Sequence, residues 1–193
     1  DCVTCSKCVP VCPNDANFTY VLPAVVQPIV KVRFEDGVWI AHMGGNLVIS
    51  RKLQYANFAD FCNECGNCDV FCPEDGGPYV IKPRFFGSAA DWRRFAKHDG
   101  FAMEFPEPGR RRLLGRIEGR DLSLETMGDR VRFAGPDFDV TLAPGDPVRT
   151  LSGTAEGEID LTWLHILMWI QAAVFDSGSV NYLNALNPKE VSS

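Results

Sequence analysis

The sequence predicts an α+β fold. Three observations indicate this class: two cysteine-rich segments in the first half of the chain, many short runs in which apolar and polar residues alternate, and one long apolar window near the C-terminus. The alternating runs have the period of strands, and the apolar window has the length and composition of a buried helix. With 193 residues, 46% of them hydrophobic, the chain is long enough to bury a core.

The first element is a cysteine motif that occurs twice. Residues 2–13 read CVTCSKCVPVCP and residues 62–73 read CNECGNCDVFCP, with the same spacing and a proline after the last cysteine. The two copies contain all 8 cysteines of the chain. Any chemistry assigned to one copy must therefore also be possible for the other.

The segment between the two motifs predicts a β insertion over about residues 17–59. Its alternating runs are NFTYVLP, PIVKVRFEDGVWIAHM and NLVISRKLQYANF, and turn residues separate them at Asp36-Gly37 and at Gly44-Gly45-Asn46. We therefore expect antiparallel hairpins in a small β layer. The side chains expected to face inward include Val32, Phe34, Val38 and Ile40.

Residues 85–193 predict an accessory α+β region. Ser88 is a suitable N-cap for a short helix over SAADWRRFAKHDG, and Gly100 is the expected stop. The strands of a β meander follow in the runs GFAMEF, LLGRIEGRDLSLETM, RVRFAG and FDVTLAP. The apolar window, residues 161–175, predicts a buried helix capped by Asp160, and the polar tail LNPKEVSS predicts a frayed end.

Charge and hydropathy exclude several classes of function. A formal net charge of -6 and a pI near 5.1 argue against nucleic-acid binding, because phosphate binding needs a basic face. The basic run Arg110–Arg112 predicts a solvated loop.

The window 161–175 is too short to span a bilayer. No charged-then-apolar leader is visible, so we expect a cytoplasmic protein without a membrane span.

Four kinds of chemistry use closely spaced thiols: disulfides, structural zinc, redox dithiols and iron–sulfur clusters. Disulfides fit least well, because thiols so close within one loop are awkward to pair and nothing marks the chain as secreted. Zinc sites need only CxxC pairs, which leaves the third and fourth cysteines of each copy without a role. A [4Fe-4S] cluster takes three thiolates from one tight loop and a fourth from elsewhere, which favours iron–sulfur chemistry.

The chain resembles known proteins through these residues. The run CxxCxxCxxxCP is typical of bacterial-type 2[4Fe-4S] ferredoxins. Over residues 1 to about 105, the stretches CSKCVPVCPNDAN, CNECGNCDVFCPEDGGPYVIKPRFF and DWRRFAKHDGF are similar to the C-terminal ferredoxin region of large bacterial proteins assigned as selenate reductase subunits. In those proteins the region follows an NADPH-dependent, flavin-containing portion related to the small subunit of glutamate synthase.

The resemblance implies a ferredoxin-like two-cluster module over residues 1–84, with the β-hairpin insertion inside it. It also implies that the fourth cysteine of each motif binds the cluster of the other motif. The expected ligands of the first cluster are Cys2, Cys5, Cys8 and Cys72. The expected ligands of the second cluster are Cys62, Cys65, Cys68 and Cys12. Metal binding and folding of the module are then expected to be one event.

The function that the resemblance implies is electron transfer through two [4Fe-4S] clusters, as a relay domain or subunit of a larger oxidoreductase. The expected partner is a flavoprotein NAD(P)H oxidoreductase, and a molybdenum-dependent enzyme is a further candidate. We expect no catalytic site on this chain alone, because no acid–base or nucleophile constellation is visible. The alternative is a protein-interaction module that zinc or iron–sulfur clusters stabilise, without redox turnover.

The surroundings of the two motifs differ in charge. Five acids lie in or beside the second motif, with no lysine or arginine among them: Asp60, Glu64, Asp69, Glu74 and Asp75. We expect this charge to make the second cluster harder to reduce, or to form a docking face for a basic partner. Tyr20 and Tyr79, which follow the motifs, are candidates to shield a cluster from water. We expect His165 to be a satisfied helix residue and His42 and His98 to lie at the surface.

Overall fold

The computed structural model describes residues 2–74 and 76–186 and has the predicted α+β fold. The strands within the described residues are β1 (Asn17–Val21), β2 (Val25–Glu35), β3 (Val38–Ile49), β4 (Leu53–Phe58), β5 (Arg84–Phe86), β6 (Gly100–Glu104), β7 (Arg112–Ile117), β8 (Arg120–Met127), β9 (Arg130–Gly135), β10 (Phe138–Leu142), β11 (Ser152–Ala155) and β12 (Glu158–Asp160). The helices are α1 (Asn67–Val70), α2 (Gly77–Ile81), α3 (Ala89–Arg94), α4 (Thr162–Ile170) and α5 (Tyr182–Leu186).

One large sheet has the strand order β1-β4-β5-β6-β7-β8-β9-β10-β11. From β6 to β10 each strand pairs antiparallel with the next one in sequence, which confirms the predicted meander. The pairs β4–β5 and β5–β6 are instead parallel, so the chain must cross over between them. The first crossover contains the second cysteine motif with α1 and α2, and the second crossover contains α3.

The sheet is continuous across the proposed boundary between residues 84 and 85. That boundary falls inside β5, and β5 pairs with β4 on one side and with β6 on the other. Strands from the cysteine-rich half and from the C-terminal half therefore share one set of ladder hydrogen bonds.

The insertion forms a long hairpin, in which β2 pairs with β3 and β12 adds a short third strand. The predicted turn at Asp36-Gly37 is present, with left-handed φ angles of 50° and 82°. The turn predicted at Gly44-Gly45-Asn46 is wrong, because β3 continues through these residues. The register shifts opposite them, between Pro28 and Val30, so the glycines accompany an irregularity within the ladder.

The expectation for inward-facing residues of this hairpin is correct for Val32, which is fully buried, and wrong for the other three. Phe34, Val38 and Ile40 are exposed by 46%, 57% and 38%. Val38 and Ile40 pair with Glu35 and Arg33, so they lie on the face opposite Val32. Phe34 shares the face of Val32 but lies beyond Lys31–Arg33, the part of β2 that pairs with β12. Alternation identifies which residues share a face, and it does not identify which face another element covers.

The window 161–175 forms a buried helix, as predicted. It consists of α4 and a π-helical turn, Gln171–Phe175, that sequence reasoning missed. Leu164 and Leu167 are completely buried, and the Thr162 backbone N–H donates to Asp160 Oδ1 at 2.8 Å, which confirms the cap. No described helix is both long enough and apolar enough to span a membrane.

The start of α3 is confirmed and its end is not. The Asp91 backbone N–H donates to Ser88 Oγ at 3.0 Å, which is an N-cap hydrogen bond. The helix ends at Arg94, and Gly100 instead opens β6. A Cβ atom at Gly100 would lie 2.2 Å from the Arg84 carbonyl oxygen, so the glycine allows β5 and β6 to approach each other. The predicted frayed tail lies outside the described residues except for Leu186.

The arginine run is not the solvated loop that the sequence suggests. Arg110 and Arg112 both bind the carboxylate of Glu125, which is only 2% exposed, and Arg111 pairs with Asp176 at 2.7 Å. These ion pairs connect the start of β7 to β8 and to the segment after α4. The run is therefore part of the framework of the sheet.

Candidate metal centre

The two cysteine motifs adopt the same local conformation. Thr4 and Glu64 precede the second cysteine of their motifs, and both have left-handed backbones, with φ angles of 56° and 55°. The residues after that cysteine, Ser6 and Gly66, are also left-handed, at 62° and 78°. Left-handed conformations are costly for residues other than glycine, above all for a β-branched residue such as Thr4. Both loops thus hold the same strained shape.

Backbone hydrogen bonds repeat in the same way. In the first motif the Val9 N–H donates to the Ser6 carbonyl and the Cys12 N–H donates to the Val9 carbonyl, both at 3.3 Å. The equivalent bonds of the second motif run from Asp69 to Gly66 and from Cys72 to Asp69, at 2.9 and 3.0 Å. The repeated spacing in sequence therefore corresponds to a repeated fold.

The strands of the insertion bring the two motifs together. β1 begins shortly after the first motif and β4 ends just before the second, and these strands pair antiparallel with Asn17 opposite Asn57. The two asparagines are buried, and Asn57 Nδ2 donates to Asn17 Oδ1 at 2.9 Å. Asn17 in turn donates to the Cys8 carbonyl at 2.9 Å, and Asn67 of the second motif donates to the Val11 carbonyl of the first. Distant segments thus become neighbours.

The four cysteines predicted as the first ligand set line one cavity. Cys2, Cys5 and Cys8 come from the first motif, and Cys72 comes from the second. Most of the remaining wall is apolar or aromatic: Val3, Tyr55, Pro73, Pro78 and Ile81. The cavity therefore presents thiols from both motifs against a wall of low polarity.

Three of the four cysteines of the second set are close enough to interact. The nearby Cys12 and Cys62 thiols both affect the pKa of Cys68. Cys65 is exposed and lies in the same loop, between Cys62 and Cys68. The interaction of Cys12 with Cys68 again joins a fourth cysteine to the opposite motif.

Hydrogen-bond donors point at two sulfurs of the second set. The Ala16 backbone N–H donates to Cys12 Sγ at 3.3 Å. Cys68 Sγ accepts hydrogen bonds from the Asn17 side chain and the Tyr79 backbone N–H, and both bonds lower its pKa. Donors of this kind stabilise the thiolate form that a metal requires.

Crowding and burial oppose ionisation of the thiols in the protein alone. Burial, followed by the neighbouring Cys2 and Cys5, raises the pKa of Cys8 to about 11. Burial is also the largest influence on Cys68, whose pKa is raised despite its hydrogen bonds. Binding of a cationic metal group would therefore release protons from these thiols.

The second motif is less acidic than its sequence suggests. Arg84 is only 3% exposed, and its guanidinium pairs with Glu64 at 2.8 Å and donates to the Tyr79 carbonyl at 2.8 and 3.0 Å. This arginine lies outside the acidic run and reaches it only through the fold. It partly offsets the negative charge, so the relative potentials of the two sites stay a prediction. Asp75, also part of that run, lies outside the described residues.

The aromatic residue at the first cavity is one that sequence reasoning missed. Tyr55, on β4, is only 3% exposed and lines the cavity. Its hydroxyl oxygen lies 2.5 Å from Ser6 Oγ. Tyr20 packs against Phe85 and lines a different cavity, whereas Tyr79 contributes backbone groups to Cys68 and Arg84. The only sequence signal for Tyr55 is its place in a strand that leads into the second motif.

The histidines have partners other than the thiols, and His98, expected at the surface, is partly buried beside Phe95. His165 stands 3.1 Å from Gln27 and stacks on Trp169, and burial lowers its pKa, in agreement with the expected satisfied helix residue. His42, half exposed, pairs with Glu158 at 3.1 Å. Within residues 2–74 and 76–186, no group of three or more His, Cys, Asp or Glu side chains is compact enough to hold a single metal ion.

Comparison with known proteins finds relatives for about half of the chain. Over 100 residues, 52% of this chain, the sequence is 33% identical to "Putative oxidoreductase YgfK" of Escherichia coli K12, and it is equally similar to the protein of that name from E. coli O157:H7. The matched stretch is only 7% of the length of each relative. No family model and no solved structure matches the chain. Half of the chain is therefore similar to a short segment of much longer proteins named as oxidoreductases.

Proposed function

We propose that this chain transfers electrons through two [4Fe-4S] clusters as part of a larger oxidoreductase. The observation that carries the proposal is the single cavity lined by Cys2, Cys5, Cys8 and Cys72, in which three thiols come from one motif and the fourth from the other. This is the arrangement that crossed ligation requires. Similarity to a segment of proteins named as oxidoreductases supports the oxidoreductase context of this proposal.

The residues present fit a pair of such clusters. The first would be held by Cys2, Cys5, Cys8 and Cys72, and the second by Cys62, Cys65, Cys68 and Cys12. A bound [4Fe-4S] cluster supplies one-electron redox chemistry. The protein contributes thiolates, N–H donors toward sulfur from Ala16 and Tyr79, and the apolar wall that limits access of water.

We further propose that the chain relays electrons between a flavoprotein that oxidises NAD(P)H and a second redox enzyme, for which a molybdenum enzyme is a candidate. The resemblance to ferredoxin regions of selenate reductase-type subunits motivates this partner. The Cys68 thiol of the second set contributes to raising the pKa of Cys8 in the first set, which supports two adjacent sites. Adjacent sites allow one to receive an electron while the other delivers it.

Anaerobic reconstitution with iron and sulfide tests the cofactor. We expect about eight iron and eight sulfide per chain, four of each from each cluster, and visible absorption that bleaches with dithionite. A colourless zinc protein that retains its fold would contradict the proposal. An iron-loaded protein that dithionite does not reduce would favour the interaction module without redox turnover.

Single cysteine variants test the crossed ligands. Cys68→Ala and Cys72→Ala remove neighbouring thiols of the same motif, and Cys8→Ala and Cys12→Ala do so in the other. We expect electron paramagnetic resonance to show that Cys72→Ala and Cys8→Ala damage one cluster, whereas Cys68→Ala and Cys12→Ala damage the other. If damage follows the motif instead of the crossed set, the ligand assignment is wrong.

A further inference from the structure

A cavity of about 640 Å³ lies beside the candidate metal centre. Its walls come from the end of the first crossover and the start of β5 at residues 80–84, from the end of the second crossover at residues 97–99, from the turn between β7 and β8 at residues 117–119, and from α4. Sites for small organic ligands have volumes of roughly 300–1,000 Å³ and walls that are mainly apolar, with a few polar groups. The size of this cavity falls within that range.

One side of the cavity is aromatic and aliphatic. Tyr20 and Phe101 line it from the sheet, and Ile166, Trp169 and Ile170 line it from α4. Trp169 is held in place by its stacking on His165. A planar ring can gain both buried apolar area and aromatic contact against such a wall.

The polar side of the cavity carries two available positive charges. Arg84 and Arg116 also line it, but their guanidinium groups already bind Glu64 and Asp121. Lys82 and Lys97, by contrast, have no ion-pair partner among the described residues. Arg84 is opposite Gly100 in the β5–β6 register, so the segments that carry the two lysines enter the sheet side by side.

Two carboxylates, Asp99 and Glu118, also line the cavity, and among the described residues neither forms an ion pair with Lys82 or Lys97. The Asp99 carboxylate accepts hydrogen bonds from the backbone N–H groups of Glu118 and Gly119, at 2.7 and 3.0 Å. Glu118 is exposed on the turn. Burial and the nearby Arg84 lower the pKa of His98, so its imidazole is neutral at pH 7 and can donate or accept one hydrogen bond.

We propose that this cavity binds a planar aromatic ligand that carries a phosphate group, with the ring against Trp169 and the phosphate at Lys82 and Lys97. The chain as a whole is acidic, so a pair of unpaired lysines at the edge of an apolar cavity is a local exception that an anion would complement. Ile81 and Lys82 also line the cavity of the first cysteine set, so the ligand lies next to the candidate metal centre.

Flavin mononucleotide and riboflavin are suitable probes, because they share a ring and differ in the phosphate. Binding to the full chain is measured by quenching of flavin fluorescence, with and without reconstituted clusters. We expect flavin mononucleotide to bind about tenfold or more tightly than riboflavin, because only its phosphate can accept charge-assisted hydrogen bonds from the two lysines. Inorganic phosphate should compete only with flavin mononucleotide. Equal affinity for the two flavins, or no binding of either, would overturn the proposal.

Substitutions in the cavity test which side chains contact the phosphate and which contact the ring. Lys82→Gln and Lys97→Gln should each weaken flavin mononucleotide binding severalfold and leave riboflavin binding unchanged, whereas Trp169→Leu should weaken both. Arg149→Gln removes one positive charge on an exposed side chain outside the cavity and should change neither. If the Arg149 variant weakens binding as much as the lysine variants, the effect is one of net charge and the site is not here. Because binding is measured without clusters as well, this result is separate from the test of electron transfer.

Discussion

At the scale of single residues, side chains outside the motifs hold the cysteine loops in shape. Ser6 has a left-handed backbone, and its hydroxyl lies 2.5 Å from the buried hydroxyl of Tyr55. Arg51 donates to the Cys2 carbonyl at 2.8 Å and to Thr4 Oγ1 at 3.2 Å. These contacts offset the cost of left-handed residues at the first motif. The loop conformation thus depends on the insertion as well as on the thiols.

Tyr55→Phe tests this support. The change removes the hydrogen bond to Ser6 and should destabilise the protein by about 1 kcal/mol. It should also make the proposed cluster on Cys2, Cys5, Cys8 and Cys72 lose iron to a chelator faster than the other proposed cluster does. Tyr79→Phe is the matched control, because the part of Tyr79 that contacts the site is its backbone. Equal loss from both clusters would mean that Tyr55 acts through general stability alone.

Arg84 and Glu64 form a charge pair beside the second motif, and they should act on its potential in opposite directions. Arg84→Gln removes a positive charge and should lower the midpoint potential of the proposed cluster that includes Cys62, whereas Glu64→Gln should raise it. A redox titration monitored by electron paramagnetic resonance measures the midpoint potential of each proposed cluster.

The control for this pair is Arg93→Gln, which removes a positive charge from a side chain that is 55% exposed. We expect little change there, because solvent screens exposed charges. Shifts of the same sign in the Arg84 and Glu64 variants would contradict an electrostatic role and would instead indicate a rearranged loop.

Glu125 predicts a pH dependence of stability. Burial alone would raise its pKa, but hydrogen bonds and charge from Arg110 and Arg112 outweigh burial, so its pKa lies below the ordinary 4.5. A lowered pKa means that the carboxylate stabilises the fold at neutral pH and that this contribution is lost as the pH falls below about 4.5 through the folded-state pKa. Glu125→Gln should therefore reduce stability at pH 7 and flatten its decline in acid.

Urea unfolding at about pH 7 and about pH 3.5 measures this difference. Glu118→Gln, on the exposed turn between β7 and β8, is the matched control. A decline in acid that is as steep in Glu125→Gln as in the original protein would show that other carboxyl groups account for it.

At the scale of secondary-structure elements, the sequence predicts the features that depend only on residues nearby in the chain. The strands of the meander were found from alternation and turn residues, and the Ser88 and Asp160 caps were found from their positions before apolar runs. The hairpin was predicted less well, because the β2–β3 register, which alternation within one strand does not give, places Val38 and Ile40 on the face opposite Val32. The sequence predicts a helix stop at Gly100, whereas the actual role of this glycine depends on the distant Arg84 carbonyl.

Gly100→Ala tests the contact between β5 and β6. The new Cβ would lie 2.2 Å from the Arg84 carbonyl oxygen, and backbone on both sides must shift to relieve it. We expect a loss of about 2 kcal/mol or more in the free energy of unfolding. Gly145→Ala is the control, since no atom lies within 4 Å of its Cβ position. Similar stability of the two variants would show that β5 and β6 are not held as closely as described.

At the scale of the whole molecule, the candidate centre could be predicted only in part. Cysteine spacing indicates that each motif is one tight loop, and the two loops do share φ angles and hydrogen bonds. Spacing does not indicate that Cys72 meets Cys2, because that meeting depends on the pairing of β1 with β4 and on buried Asn17 and Asn57. The crossed ligand sets came from a family resemblance, and for that reason they stay a prediction.

The cysteine segments and the β6–β10 meander should depend differently on bound metal. Residues 2–16 and 59–83 hold the cysteines and little regular structure, whereas β6–β10 carry a continuous ladder over buried side chains such as Leu113, Leu124 and Phe133. Iron removal should therefore unfold the cysteine segments and leave the meander folded. Hydrogen exchange read by mass spectrometry should show lost protection in those segments alone. Loss of protection throughout β6–β10 would mean that the sheet, continuous from β1 to β11, folds only as one unit with the metal.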